Sequence, residues 1–253
     1  MKLTILGSGT SQGIPVVTCK CHVCLSDNLK DKRLRSSVLI QSAYTTVVID
    51  AGPDFRSQML SANVETLNAV LLTHAHHDHV SGLDDVRAFN YTQKMSMPVY
   101  GTQSCLNHVK RYYDYAFTDE KYPGVPNFDM TTIEDKPFSV KELCFTPIPV
   151  FHGNMPIVGF RINNLAYITD ASAIPESSMK LLQGLDVLVI NGLRHAPHHS
   201  HFSFSEVFDI VRQLKPLRTY LTHLSHNAGL HSLLCQEMLS GIHVAFDGLE
   251  VNV

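Results

Sequence analysis

One stretch, residues 69–79, limits what this chain can fold into more than any other. A short apolar run, Ala69-Val70-Leu71-Leu72-Thr73, passes directly into His74-Ala75-His76-His77-Asp78-His79. The run has the length and composition of a buried strand, and a strand apolar at successive positions needs cover on both faces. Side chains just past the carboxyl end of such a strand lie where α/β folds build their sites. Five of these six residues can bind a metal ion. His-x-His-x-Asp-His offers four ligands, too many for one tetrahedral ion that keeps a position open. The natural division gives His74 and His76 to one ion, and Asp78 and His79 to a second. The plain alternative is an exposed polar loop or helical turn with chance histidines, and the density of ligand types argues against it.

The rest of the chain alternates short apolar runs with helical patterns. Strands are expected at Leu3–Leu6, Val38–Ile40, Thr46–Ile49, Val70–Thr73, Val99–Tyr100, Leu143–Val150, Val158–Ile162, Ala166–Thr169, Val187–Ile190, Thr219–Thr222, Val244–Phe246 and Leu249–Val253. Helices are expected at Phe55–Ala62, Leu83–Gln93, Gln103–Tyr115, Glu176–Leu182, Ser205–Leu214 and Leu230–Leu239, with Asp54 and Ser203 placed as N-caps. This pattern suggests a layered α/β fold of two sheets covered by helices. With 253 residues and no linker, repeat or composition break, a single domain over residues 1–253 is expected. Asp114–Asp135 reads as one long irregular segment, either a rim over a site or merely an exposed loop.

Two ions need further ligands, and three more strand ends supply them. His152 follows Val150-Phe151, Asp170 follows Tyr167-Ile168-Thr169, and His223 follows Leu221-Thr222. Singly each is weak; together they complete two spheres. His74, His76 and His152 would hold the first ion, Asp78, His79 and His223 the second, and Asp170 would bridge them. Such a site carries four positive charges from two divalent ions. Asp78, Asp170 and one hydroxide offset three, so the core favours an anionic substrate such as a phosphodiester, whose attacking and leaving oxygens two ions can clamp. Zinc and manganese both suit the donor set.

A second cluster is Cys19-Lys20-Cys21-His22-Val23-Cys24. Three thiols in a chain without an export signal suggest metal chemistry before disulfides, and structural zinc takes three cysteines with one histidine. His22 is sterically awkward as the fourth ligand, and His226, just past His223, is the better one. Reduced surface cysteines or a redox pair are the alternatives.

The order His-x-His-x-Asp-His, then His, Asp and His from residue 74 to 223 resembles the metallo-β-lactamase superfamily. The resemblance implies an αββα sandwich with the ions at one edge. Asp50, in Asp50-Ala51-Gly52, is implied as an acceptor that orients a ligand histidine, although an ordinary strand-to-turn Asp-x-Gly accounts for it equally well. Asp170 stands where true β-lactamases typically carry cysteine. Gly7-Ser8-Gly9-Thr10-Ser11-Gln12-Gly13-Ile14-Pro15, the cysteine cluster, His223-x-x-His226 and Phe246-Asp247-Gly248-Leu249-Glu250-Val251 together look like the PhnP branch. The glycine spacing, entering a cysteine loop and not a helix, argues against a dinucleotide site. The superfamily's phosphodiesterases place a non-ligand histidine near the leaving group. His201, in His199-Ser200-His201-Phe202-Ser203, matches best, His199 is the runner-up, and His195 and His198 read as solvated. Asp78 is implied as a proton relay as well as a ligand.

The expectation is therefore a dinuclear-metal phosphodiesterase for a small cyclic or nucleotide-like phosphate, with a tRNase Z-like endonuclease or a thioester or lactone hydrolase as alternatives. A net charge of -3 and the lack of a Lys/Arg-rich insertion argue against a nucleic-acid partner. The N-terminus lacks a signal-peptide pattern and no apolar run reaches ~20 residues, so no membrane partner and a cytoplasmic location are expected. The sequence does not fix the oligomeric state, and a homodimer is the assembly entertained.

Overall fold

The computed structural model describes residues 1–120 and 122–253. Among the described residues, fourteen strands form two seven-stranded sheets. The first takes β1 (Lys2–Gly7), β2 (Ser37–Gln41), β3 (Thr46–Ile49), β4 (Ala69–Leu71), β5 (Met97–Gly101), β6 (Phe128–Thr132) and β14 (Glu250–Asn252), in the order β14-β1-β2-β3-β4-β5-β6. The second takes β7 (Phe138–Val140), β8 (Leu143–His152), β9 (Met155–Ile162), β10 (Leu165–Ile168), β11 (Val187–Asn191), β12 (Arg218–Thr222) and β13 (Ile242–Val244), in the order β13-β12-β11-β10-β9-β8-β7. Each sheet is antiparallel in one half and parallel in the other: β3 to β6 and β10 to β13 pair in parallel.

Between the sheets lies an apolar layer in which Leu3, Ile40, Val47 and Ile49 face Phe145, Phe160, Tyr167 and Val189. Helices α1 (Phe55–Ser61), α2 (His77–Val80), α3 (Arg87–Gln93) and α4 (Gln103–Tyr112) follow strands of the first sheet. Residues of α1, α3 and α4 bury Phe55, Phe89 and Leu106 in a second layer with Val48 and Val70. Helices α5 (Glu176–Leu181), α6 (Phe204–Leu214) and α7 (His231–Glu237) cover the other sheet, where Phe204, Val207 and Leu234 pack with Leu188 and Leu221. The arrangement is the expected αββα sandwich. Among the described residues no helix is long and apolar enough to cross a membrane.

Local chemistry accounts for most boundaries. Ser203 starts α6 as anticipated, with the Glu206 carboxylate accepting from its backbone N–H (2.7 Å) and hydroxyl (2.6 Å). Asp54 precedes α1 but makes no side-chain cap. Its carboxylate instead accepts from the Arg35 backbone N–H (2.8 Å) and pairs with the guanidinium at 3.3 Å, a charged partner outcompeting the helix end. The segment expected to be irregular, Asp114–Asp135, contains β6 and a short 3-10 turn at Asp114–Ala116; Lys121 within it lies outside the described residues.

Because the parallel strands of both sheets end at one edge, their carboxyl termini gather there. Asp50 follows β3, Thr73 and His74 follow β4, Asp170 follows β10 and His223 follows β12. Asp50, Asp170 and His223 all adopt left-handed backbone, with φ of 66°, 60° and 56°. Non-glycine residues rarely do so, and such residues concentrate at functional sites.

Candidate metal centre

The histidine motif is shaped by what it packs against. β4 ends at Leu71, Leu72 and Thr73 lead on, and His77–Val80 forms one helical turn, so ligands two apart and four apart converge. Gly52 holds that turn close: the Ala51 N–H donates to the His79 carbonyl (2.7 Å), and a Cβ on Gly52 would lie 1.9 Å from the Asp78 carbonyl oxygen. Only glycine permits this approach.

The structure brings all seven expected ligands together. The His74 ring centroid lies 4.6 Å from that of His76 and 5.8 Å from that of His152, and those of His76 and His152 are 5.1 Å apart. Ligand atoms of Asp78, His79, Asp170 and His223 lie within 4.8 Å of one another. Asp170 reaches both groups, with carboxylate oxygens 3.0 Å from His223 Nδ1, 3.4 Å from His79 Nε2 and 3.9 Å from His74 Nε2.

Hydrogen bonds behind the ligands decide which nitrogen each ring presents. The His79 Nδ1–H donates to the Asp50 carboxylate at 2.7 Å. The Thr73 hydroxyl donates to Asp50 (2.9 Å), and so accepts from His74 Nδ1 (2.9 Å). His152 Nδ1 lies 2.8 Å from the carbonyls of Asp170 and Ser200, which can only accept. Each ring therefore turns its Nε2 towards the others. His74 Nε2 and His79 Nε2 are buried without a hydrogen-bond partner. The His79 nitrogen also faces carboxylate oxygens of Asp78 (3.1 Å) and Asp170 (3.4 Å), and these carboxylates, with Asp50 behind the ring, hold His79 well above the ordinary histidine value, so that in the free site a proton stands where a metal ion would. A cation in that space satisfies them all, so the residues fit the divalent ions that the fold family implies.

The charges follow the same geometry. Burial opposes ionisation of Asp170, yet His223 and His79 hold its carboxyl well below the usual range. Burial likewise opposes ionisation of Asp78, and His79 beside it more than offsets this, so the carboxyl lies below its ordinary value. Asp50, wholly buried, is pushed up by desolvation despite His79 and Thr73.

His201 is the histidine of its stretch that faces the ligands, its centroid 4.7 Å from that of His152 and 4.8 Å from that of His223. Its Nδ1 is buried without a partner. Burial, with help from His223, pushes the ring down to about 3. The free site thus holds it neutral, whereas an unperturbed histidine would be partly charged near neutral pH. His198 lies behind it (centroids 5.1 Å), His199 is exposed, and His195 turns outward to Glu237 at 3.1 Å.

Two residues escaped the sequence reading. Thr10 Oγ1 lies 3.1 Å from His223 Nε2, and Ser36 Oγ lies 3.2 Å from His223 Nδ1. The glycine loop delivers Thr10, since Thr10 N–H donates to the Leu224 carbonyl and Leu224 N–H to that of Ser8. A hydroxyl inside a glycine loop expected at the metal edge was a usable signal; Ser36, an ordinary residue before a strand, offered none.

The cysteine cluster also assembles, with His226 and not the exposed His22. Sulfurs of Cys19, Cys21 and Cys24 lie 3.3, 3.5 and 3.6 Å from His226 Nδ1. The Cys24 backbone N–H pulls the Cys21 thiol down to about 6, while burial pushes Cys24 up to about 11. Three sulfurs and a ring nitrogen this close make a tetrahedral donor set.

Comparison with known proteins agrees with this picture. The family described as beta-lactamase superfamily domain matches residues 45–224. An octanoyltransferase of Porphyromonas gingivalis is 40% identical over the whole chain, which spans 52% of that protein's length. The crystal structure of a diphosphatase from the PhnP family superposes with a TM-score of 0.93 at 36% identity, covering 100% of this chain and 97% of that one. Zinc-bound PqqB from Methylobacterium extorquens shares the fold, with a TM-score of 0.80 at 20% identity over the full length of both chains. A match to most of the chain, joined to near-complete superposition on a relative of substantial identity, places this protein in the metallo-β-lactamase superfamily, as a PhnP-like member.

Proposed function

We propose that this protein is a dinuclear-metal phosphodiesterase acting on small cyclic or nucleotide-like phosphodiesters. One observation carries the reading: buried imidazole nitrogens without hydrogen-bond partners converge, among the described residues, with the two carboxylates of Asp78 and Asp170. Two divalent ions there leave a net positive core, which attracts an anion. The PhnP-family relative is a diphosphatase, which supports phosphate as the group acted on. The octanoyltransferase is about twice this chain's length, and its activity is not carried over.

His74, His76 and His152 would hold one ion, Asp78, His79 and His223 the other, with Asp170 between them; zinc or manganese suits both positions. When bound, such ions supply Lewis-acid charge and lower the pKa of a coordinated water. The protein's own residues do the rest. Asp50, Thr73 and the carbonyls behind His152 fix the rings so that no reorientation is needed when substrate arrives. Asp78, less buried than Asp170, accepts and passes on a proton. His201 faces the same space and presents an N–H to the leaving oxygen. Cys19, Cys21, Cys24 and His226 hold a structural zinc that pins the N-terminal loop against the strand end bearing His223. The partner is a small anionic diester, with neither nucleic acid nor membrane, in a cytoplasmic protein.

Protein loaded with zinc or manganese is expected to hydrolyse bis(p-nitrophenyl) phosphate and 2′,3′-cyclic nucleotides, and to leave p-nitrophenyl phosphate nearly untouched. Efficient turnover of thioesters or lactones with inert diesters would replace this reading. Elemental analysis should find three ions per chain. Cys21→Ser should remove one zinc and lower the melting temperature while the other two ions stay; two ions in fully loaded wild-type protein would sink the structural zinc.

A further inference from the structure

A cavity of about 410 Å³ opens beside His74 and His76, within the size range of small-molecule sites. One wall is apolar, built by Ile133 after β6, Pro147 and Pro149 on β8, and Met155 at the start of β9. Helix α4 contributes Ser104, His108 and Tyr112 to the lining. Tyr112 is 43% exposed, with its ring 4.7 Å from that of His77 and 6.4 Å from that of His108, so an aromatic surface stands open at the mouth.

Among the described residues, no lysine or arginine lines this cavity. The carboxylates that line it are those of Glu134 and Asp135. Lys136 offsets Glu134 at 3.6 Å, whereas Asp135 has no ion pair among the described residues. The amino end of α4 borders the cavity, but the Thr102 hydroxyl already accepts the Cys105 N–H there. A phosphate seated here would lose water without gaining a cationic partner, a costly exchange. A flat uncharged group would instead bury area against Ile133 and Met155 and stack on Tyr112, with its N–H or O–H groups donating to the carboxylates.

We infer that this cavity holds the non-reacting arm of the diester and selects a planar, uncharged, hydrogen-bond-donating arm the size of a nucleoside over an arm bearing a second phosphate. The inference rests on the phosphodiesterase reading above and narrows it to nucleoside-like diesters with a single phosphate. Four p-nitrophenyl diesters with one leaving group and different arms test it: methyl, phenyl, thymidine 5′, and thymidine 5′ carrying a 3′-phosphate. With metal-loaded protein, kcat/KM for the thymidine arm should exceed that for methyl by ~10-fold or more, with phenyl between them. The 3′-phosphate should cost ~10-fold or more. Ser104→Phe, which narrows the cavity, and Tyr112→Ala, an exposed change, should each pull the thymidine-to-methyl ratio towards one. Each should also weaken calorimetric binding of thymidine 5′-monophosphate more than that of methyl phosphate. Equal rates for all arms, or a preference for the phosphorylated arm, would overturn the inference and leave the phosphodiesterase standing. Hydrolysis of none of the four would overturn both.

Discussion

Asp170→Asn is expected to lower diester hydrolysis by ~10³–10⁴-fold and to remove at least one divalent ion. The carboxylate is the group shared by both halves of the ligand set, lying 3.0 Å from His223 Nδ1 in one half and 3.9 Å from His74 Nε2 in the other. Asparagine keeps its shape but not its charge, and its amide can present a donor where the imidazole nitrogens need a cation. Lewis-acid stabilisation of the transition state is worth several kcal/mol, and ~1.4 kcal/mol corresponds to a factor of ten. Asparagine is among the residues that tolerate left-handed backbone, so the φ of 60° at this position should survive and the chain should fold. Elemental analysis beside a rate measurement checks the expectation. Two retained ions with activity within tenfold of wild type would show that Asp170 does not bridge.

His201→Ala is expected to lower kcat by ~10²–10⁴-fold, the usual contribution of a positioned acid or base, with metal content unchanged. Cleavage of the P–O bond leaves charge on the departing oxygen, and the His201 ring stands among the ligands with a buried, unpartnered nitrogen. Since burial holds the ring neutral in the free site, it enters the reaction as an N–H donor and takes up further charge only once an anionic substrate sits beside it. The loss should shrink for p-nitrophenolate, which departs without a proton, and grow for an alkoxide. Equal losses for both leaving groups would reduce His201 to a phosphate-binding residue. A lost ion would make it a ligand.

The ligand set was legible because its members sit one or two residues past apolar runs, and such runs are what sequence displays best. Thr46–Ile49, apolar after its first residue, and Val187–Ile190, apolar throughout, are central strands, and both were visible as such. The edge of each sheet was not. β6, Phe128–Thr132, alternates between partly and fully exposed positions, and β7 spans only Phe138–Val140, so neither carries a run of buried residues to betray it. The α2 turn was hidden because it is built from the ligands themselves. Order of strands, and with it the meeting of Thr10, Ser36 and His223, depends on pairing between residues far apart in the chain. The cavity beside His74 draws on four separate elements and had no signature in any one of them. Asp50 shows the intermediate case: the pattern Asp-x-Gly was consistent with a turn or an orienting role, and only the 2.7 Å bond to His79 decides for the second.

The seven ligands are divided between the sheets: His74, His76, Asp78 and His79 follow a strand of one, while His152, Asp170 and His223 end or follow strands of the other. The spacing between the two groups is therefore a thickness, gauged by the side chains stacked between the sheets. Phe145, Phe160 and Tyr167, each fully buried, act as spacers that set this thickness. Interiors packed at crystal-like density pass on a change of even one methylene. The gap across which a substrate must be gripped is thus calibrated from inside the sandwich.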